Sequence, residues 1–256
     1  MERRTFDTAL GTIWMRGQAS AFDGDRPIVL GLTGAFANDD GAPEPGALRQ
    51  HLPPDIEVVG AHLPGNHCPP LSVPASVEAY AEAYSQALDL AFPTRPVLVL
   101  GASVGGLVAL GLTSPLVRAA LVVDPPLVME KLWPLLPFLN WKLSEPQADE
   151  ALRDFVGGVF GLTGAGVEPR DYRGMLDRLR FPVRVVVGDE PLLPPRNLER
   201  LPSLVDAPER ELIARHAGMR LHVAPTCGHN ILEQAPAFIV ARLLEMLRPL
   251  RPAAAG

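Results

Sequence analysis

Apolar residues fall in short runs separated by turn-formers, and these runs divide the chain into alternating strands and helices. Strands are predicted at Thr12 to Met15, Ile28 to Leu32, Glu57 to Ala61, Val97 to Leu100, Ala119 to Val123, Val183 to Val187 and Leu221 to Ala224. The later runs are continuously apolar and rich in β-branched residues, the pattern of parallel strands covered on both faces. Helical spacing recurs over Val77 to Phe92, with Ser76 placed as the N-cap, over Leu107 to Leu112 behind a glycine turn, and over Ala235 to Leu247. Such alternation predicts an α/β fold with a mostly parallel central sheet flanked by helices. One stretch breaks the rhythm. From Pro125 to about Arg180 the chain reads as helical or irregular, and Pro134 and Pro137 forbid a single long helix there. The expected organisation is a core domain over 1–124 and 181–250, a helical insertion over 125–180 that acts as a cap, and a frayed tail over 251–256.

Composition narrows this picture. With 256 residues and 47% hydrophobic content, the chain suits one well-packed domain. A formal net charge of −6 gives no electrostatic reason to expect nucleic acid as a partner. The sequence contains no apolar run long enough to span a membrane, and MERRTFDTALGTIWMRG lacks the apolar stretch of a signal peptide. A cytoplasmic location is therefore expected, with Cys68 and Cys227 as free thiols that fit no metal-ligand spacing. Nothing in the sequence fixes an oligomeric state.

The candidate chemistry starts at Ser103, in VLVLGASVGGLVALGL. This segment reads as strand, then Gly101-Ala102-Ser103-Val104-Gly105-Gly106, then helix. A G-x-S-x-G turn in that setting is a nucleophile elbow: glycines two residues either side of the serine permit a turn too sharp for side chains. The hydroxyl is then presented at a helix start, where unpaired N–H groups favour negative charge. A dinucleotide-binding turn is the rival, since Asp124 stands about twenty residues on, where a ribose-binding acid would be. It is disfavoured because Ser103 occupies the middle glycine position and the motif follows at least three strands.

The segment MRLHVAPTCGHNILEQAPAFIVARLLEML supplies a base. It reads as a strand ending near Ala224, a short loop carrying Gly228-His229, and a helix. With the elbow, the G-H loop, Glu233, Pro236 and the final amphipathic helix in place, residues 10 to 248 outside the insertion resemble the α/β-hydrolase superfamily. The resemblance implies Ser103 as nucleophile and His229 as the base that activates it. It places the oxyanion donors on the backbone N–H groups of Val104 and Ala35, although this chain has Thr33-Gly34 where the family has His-Gly. The loop AHLPGNHCP resembles the family's D-x-P-G-x-G loop, with His62 and His67 at two of its positions, from which either can line the pocket mouth. Among the remaining histidines, His51 precedes a Pro-Pro turn, His216 falls near a helix end, and His222 lies inside a strand.

The third member of the triad is open at this level. The family pattern after the strand Val183 to Val187 puts the acid where this chain has Pro191, within Gly188-Asp189-Glu190-Pro191-Leu192-Leu193-Pro194. A one-residue deletion makes Glu190 the expected acid. Asp189 and Asp124 are the rivals, the latter because some family members supply the acid from the preceding strand. The apolar insertion implies a cover over the nucleophile, with Phe36, Trp133 and Phe138 as expected substrate contacts.

The expected activity is hydrolysis of a carboxylic ester-type bond (ester, lactone or thioester) in a small molecule with an apolar portion, through an acyl-enzyme. This chemistry asks for no metal or organic cofactor. The alternatives are C–C bond hydrolysis, a lyase or cofactor-free perhydrolase reaction with the same triad, and a non-catalytic ligand-binding protein on the same scaffold.

Overall fold

The computed structural model describes residues 1–36, 49–164 and 166–250. The tail expected to fray, 251–256, lies outside them. Eight strands form one sheet: β1 (Glu2–Thr8), β2 (Gly11–Gly17), β3 (Ile28–Leu32), β4 (Glu57–Ala61), β5 (Val97–Ala102), β6 (Val117–Val123), β9 (Val183–Gly188) and β10 (Met219–Ala224). Their order is β1-β2-β4-β3-β5-β6-β9-β10. The β1–β2 and β2–β4 pairs are antiparallel, and every pair from β4 through β10 is parallel.

The continuous apolar runs are explained by burial on both faces. In β5, Val97 and Val99 face a core shared with the helices α1 (Ala19–Asp23), α2 (Val77–Ala91) and α3 (Val104–Gly111). Leu98 and Leu100 point the other way, against Ile239, Leu243 and Met246 of α8 (Pro236–Leu247). Successive strand residues alternate sides, so a strand covered twice must be apolar at every position. Helix α2 begins where the sequence places its cap, with Ser76 accepting a hydrogen bond from the Ala79 N–H at 3.0 Å.

Within this sheet, one strand carries no sequence signal. In β1, half-buried and exposed residues alternate, and the segment ERRTFDT is mostly polar. It is an edge strand held by the β2 ladder rather than by core burial.

Between β6 and β9 the chain leaves the sheet. It forms α4 (Leu136–Ser144), α5 (Glu150–Phe160) and a small hairpin of β7 (Leu162–Thr163) and β8 (Gly166–Val167), then returns through a 3-10 turn at Arg173–Arg178. Asp149 caps α5 by accepting from the Leu152 N–H at 2.8 Å, and Gly161 ends it in the left-handed conformation. Helix α6 (Ala207–Arg215) leads into β10, and the short α7 (Ile231–Gln234) precedes α8. No helix among the described residues is long and apolar enough to cross a membrane.

Candidate active site

Ser103 sits at the tip of β5, with φ 51° and ψ −121°. This is a strained conformation for a residue with a side chain, and the surrounding structure must enforce it. The flanking glycines show how. A Cβ on Gly101 would lie 2.5 Å from the Gly105 carbonyl oxygen, and one on Gly105 would collide with the carbonyl oxygens of Leu32 and Thr33. The backbone thus closes tightly around the turn on both sides. Ser103 makes no side-chain capping bond to its own helix, although it stands at the N-cap of α3. Its hydroxyl is left for other work.

The loop following β3 lies directly against the serine. A Cβ on Gly34 would stand 3.1 Å from the Ser103 Cβ and 3.7 Å from its Oγ. Thr33 is buried at this point. Ala35 is therefore carried beside Ser103, and Val104 lies at the first position of α3, where helix N–H groups have no intrahelical acceptor. The next residue, Phe36, has φ 58° and donates its N–H to Asn66 Oδ1 at 3.0 Å. Asn66 belongs to the loop after β4, and sequence reasoning did not single it out.

His229 follows β10, with its side chain 11% exposed. Its N–H donates to the Leu201 carbonyl at 3.0 Å, and Gly228 donates to Gln234 Oε1 at 2.8 Å. Gly228 is needed because a Cβ there would collide with the Leu201 carbonyl oxygen. These contacts fix the loop that carries the imidazole.

The carboxylate that meets His229 is Asp124, whose Oδ2 lies 2.7 Å from the imidazole Nδ1. Asp124 immediately follows β6, is fully buried, and has φ 45°, a conformation Asp tolerates better than most residues. Its Oδ1 accepts from Ser203 Oγ at 2.5 Å, and its Oδ2 also accepts from the Leu204 N–H at 2.8 Å. Ser103 and Asp124 stand on neighbouring strand ends, since the Ser103 N–H donates to the Val123 carbonyl at 2.9 Å.

This geometry corrects the expectation for the acid. Glu190 does not face the imidazole: its Oε1 accepts from the Asn197 N–H at 2.5 Å in an exposed turn. Asp189 is also engaged elsewhere, accepting from the N–H groups of Thr226 and Cys227 at 2.8 and 3.0 Å. Residue spacing after β9 points to Glu190, whereas backbone hydrogen bonds draw both of those carboxylates into loop structure.

The expected substrate contacts divide. Phe36 meets Phe138 edge-on at 5.4 Å between ring centres and also touches Phe155 and Phe160. The segment between β6 and β9 therefore packs onto the residue that follows Ala35. Trp133 lies 43% exposed under the Arg196 guanidinium. His62 is buried, with its ring edge-on to Trp14. Cys68 and Cys227 are free thiols, and burial pushes the Cys68 thiol up to about 12, which leaves it protonated and a poor nucleophile. Among the described residues, no group of three His, Cys, Asp or Glu side chains is placed to hold a metal ion.

A serine elbow at the tip of a central parallel strand, a histidine loop after the last strand, and this strand order define the α/β-hydrolase fold. The profile of the Alpha/beta hydrolase family matches residues 34–242, and the chain belongs to that family. Solved structures agree on the fold. N-acyl homoserine lactonase AidH, complexed with N-butanoyl homoserine, shares 17% identity over 100% of both chains, with a TM-score of 0.62. A thermophilic esterase from Thermogutta terrifontis shares 16% identity over 98% of this chain and 100% of its own, at a TM-score of 0.64. Naproxen esterase from Bacillus subtilis shares 15% identity over 96% and 91%, also at 0.64. No curated protein sequence matches this chain.

Proposed function

We propose that the protein is a serine hydrolase of carboxylic ester-type bonds, with Ser103 as nucleophile, His229 as general base and Asp124 as the acid of the triad. The observation that carries this reading is the 2.7 Å contact between His229 Nδ1 and the buried Asp124, beside a serine held in a strained elbow. Asp124 replaces Glu190 in the assignment. As a carboxylate it can only accept, so Nδ1 donates and Nε2 keeps its lone pair.

The steps follow from that tautomer. His229 Nε2 takes the proton from Ser103 Oγ as the oxygen attacks the substrate carbonyl. Negative charge moves to the carbonyl oxygen and is met by the N–H groups of Ala35 and Val104, each such donor being worth about 3–4 kcal/mol. His229 then passes its proton to the leaving group, which departs and leaves the acyl group on Ser103. Water, deprotonated by His229, releases the acid and regenerates the serine. The segment between β6 and β9 acts as the cap, with Phe36 and Phe138 against the apolar part of the substrate. The esterases and the lactonase that share the fold support ester-type substrates.

The test is hydrolysis of p-nitrophenyl butyrate, together with labelling by a fluorophosphonate probe. Ser103→Ala is expected to lower kcat by about 10⁴–10⁶-fold and to abolish labelling. Equal turnover by the two proteins overturns the assignment.

A further inference from the structure

Ser203 is completely buried, as is the Asp124 carboxylate it faces. Its backbone N–H donates to the Glu190 carbonyl at 3.1 Å, which ties it to the turn after β9. Its Oγ receives the Val205 N–H at 3.3 Å and lies 2.5 Å from Asp124 Oδ1. A hydroxyl has one hydrogen to give. The Val205 carbonyl lies farther away, at 3.2 Å, so that hydrogen goes to the carboxylate. Asp124 then has its two oxygens divided: Oδ1 for Ser203, and Oδ2 for the Leu204 N–H and His229 Nδ1.

We propose that Ser203 is a positioning residue, which holds the Asp124 carboxylate charged and turned so that Oδ2 meets the imidazole. The inference rests on the triad proposed above and adds a residue to it. Buried anions persist only when donors replace the lost water, and a bond to a charged acceptor is among the stronger ones in a protein. Without the hydroxyl, Oδ1 loses its donor in a site closed to solvent. The carboxylate becomes a stronger base and is freer to turn about its terminal bond. It then holds the Nδ1 proton more firmly and favours the imidazolium, so the ring gives up its Nε2 proton only at higher pH. The signature of positioning is thus a moved pH profile, which loss of packing alone does not produce.

The experiment compares wild type, Ser203→Cys and Ser203→Ala by the rate of fluorophosphonate labelling from pH 5 to 9. The downfield proton signal of His229 Nδ1 is followed by NMR on the same proteins, and thermal unfolding serves as the folding control. Cysteine nearly preserves the shape of serine and donates weakly. The expected order of labelling rate is Ser, Cys, Ala, with Ser203→Ala slower by about 10–100-fold at neutral pH, the range expected on losing one outer partner of a site. The acid limb of its profile is displaced upward, and its Nδ1 signal is shifted. The proposal is overturned if Ser203→Ala keeps the wild-type profile and Nδ1 signal, or if its rate falls with the profile unmoved. Failure of the parent reading looks different: wild type is then not labelled at all, and the Nδ1 signal alone decides for or against Ser203.

Discussion

Replacing Asp124 by asparagine separates charge from geometry at the site. The two side chains have the same shape. The new amide can keep its oxygen where Oδ2 now accepts from Leu204 and His229, at 2.8 and 2.7 Å. Its NH₂ then takes the Oδ1 position, 2.5 Å from Ser203 Oγ, and that hydroxyl can turn to accept. The Nδ1–H bond survives in this arrangement, and so does the fold. What disappears is a full negative charge beside the imidazole in a site with no solvent exposure. The imidazolium formed during acyl transfer loses its counter-charge. Loss of that stabilisation lowers kcat by about 10³–10⁴-fold, or about 4–5.5 kcal/mol of activation free energy. The assay is p-nitrophenyl butyrate hydrolysis with kcat and KM resolved, on protein checked by thermal unfolding. Glu190→Gln serves as the control and stays within about twofold, because its carboxylate lies in an exposed turn. If Asp124→Asn keeps wild-type kcat while Glu190→Gln loses it, the acid has been misassigned.

Two further outcomes concern stability. Lys131, in the segment between β6 and β9, contacts Glu209 Oε2 at 2.6 Å and Asp206 Oδ1 at 2.7 Å, and the Glu209 side chain is only 1% exposed. Lys131→Met strands that carboxylate and costs about 3 kcal/mol at neutral pH, the low end for breaking a buried pair. Burial, then Asp206, holds the Glu209 proton affinity above the usual carboxylate range, so the cost in chemical denaturation shrinks as pH falls and the residue neutralises. His222 on β10 is held below the usual imidazole range by burial, then by Arg242, Arg184 and Arg220. A lowered folded-state value means the unfolded chain binds the proton more readily, so stability present above the ordinary histidine range is lost as pH falls through it. His222→Gln removes that dependence. A Tm-against-pH curve below pH 6.5 as steep as wild type's contradicts this.

The sheet was legible because its central strands are apolar at nearly every position. Ile28–Leu32 and Glu57–Ala61 match the predicted runs end to end, and others extend by one to three residues. Strand β1 was not legible, since an edge strand with one packed face and several charged residues carries no such signal. Ser103 and His229 were visible because each sits in a glycine-marked turn where a Cβ collides with backbone. Asp124 had a weaker mark, an acid at a strand end before Pro125-Pro126, and stood only as a rival. Ser203 and Asn66 had no mark at all. Their roles come from contacts 79 and 30 residues away along the chain, which no local pattern encodes.

Why residue counting pointed to a carboxylate that does not meet His229 is itself a structural matter. Strands β6 and β9 are paired neighbours, and the Asp124 N–H donates to the Val186 carbonyl at 2.8 Å, so two strand ends overlook the same histidine loop. Each end carries an acid, but the two do different work. Asp189 spends both oxygens on the N–H groups of Thr226 and Cys227, and a Cβ on Gly188 would collide with the carbonyl oxygens of Cys227 and Gly228. The β9 end therefore fixes the path of the loop that delivers His229. The β6 end, with Asp124 in a left-handed conformation, turns its carboxylate toward the imidazole Nδ1 instead. Spacing along the chain records that an acid follows each strand. Which one faces the imidazole depends on a backbone dihedral at Asp124 and on donors from residues 203 and 204, and those are fixed only when the fold closes.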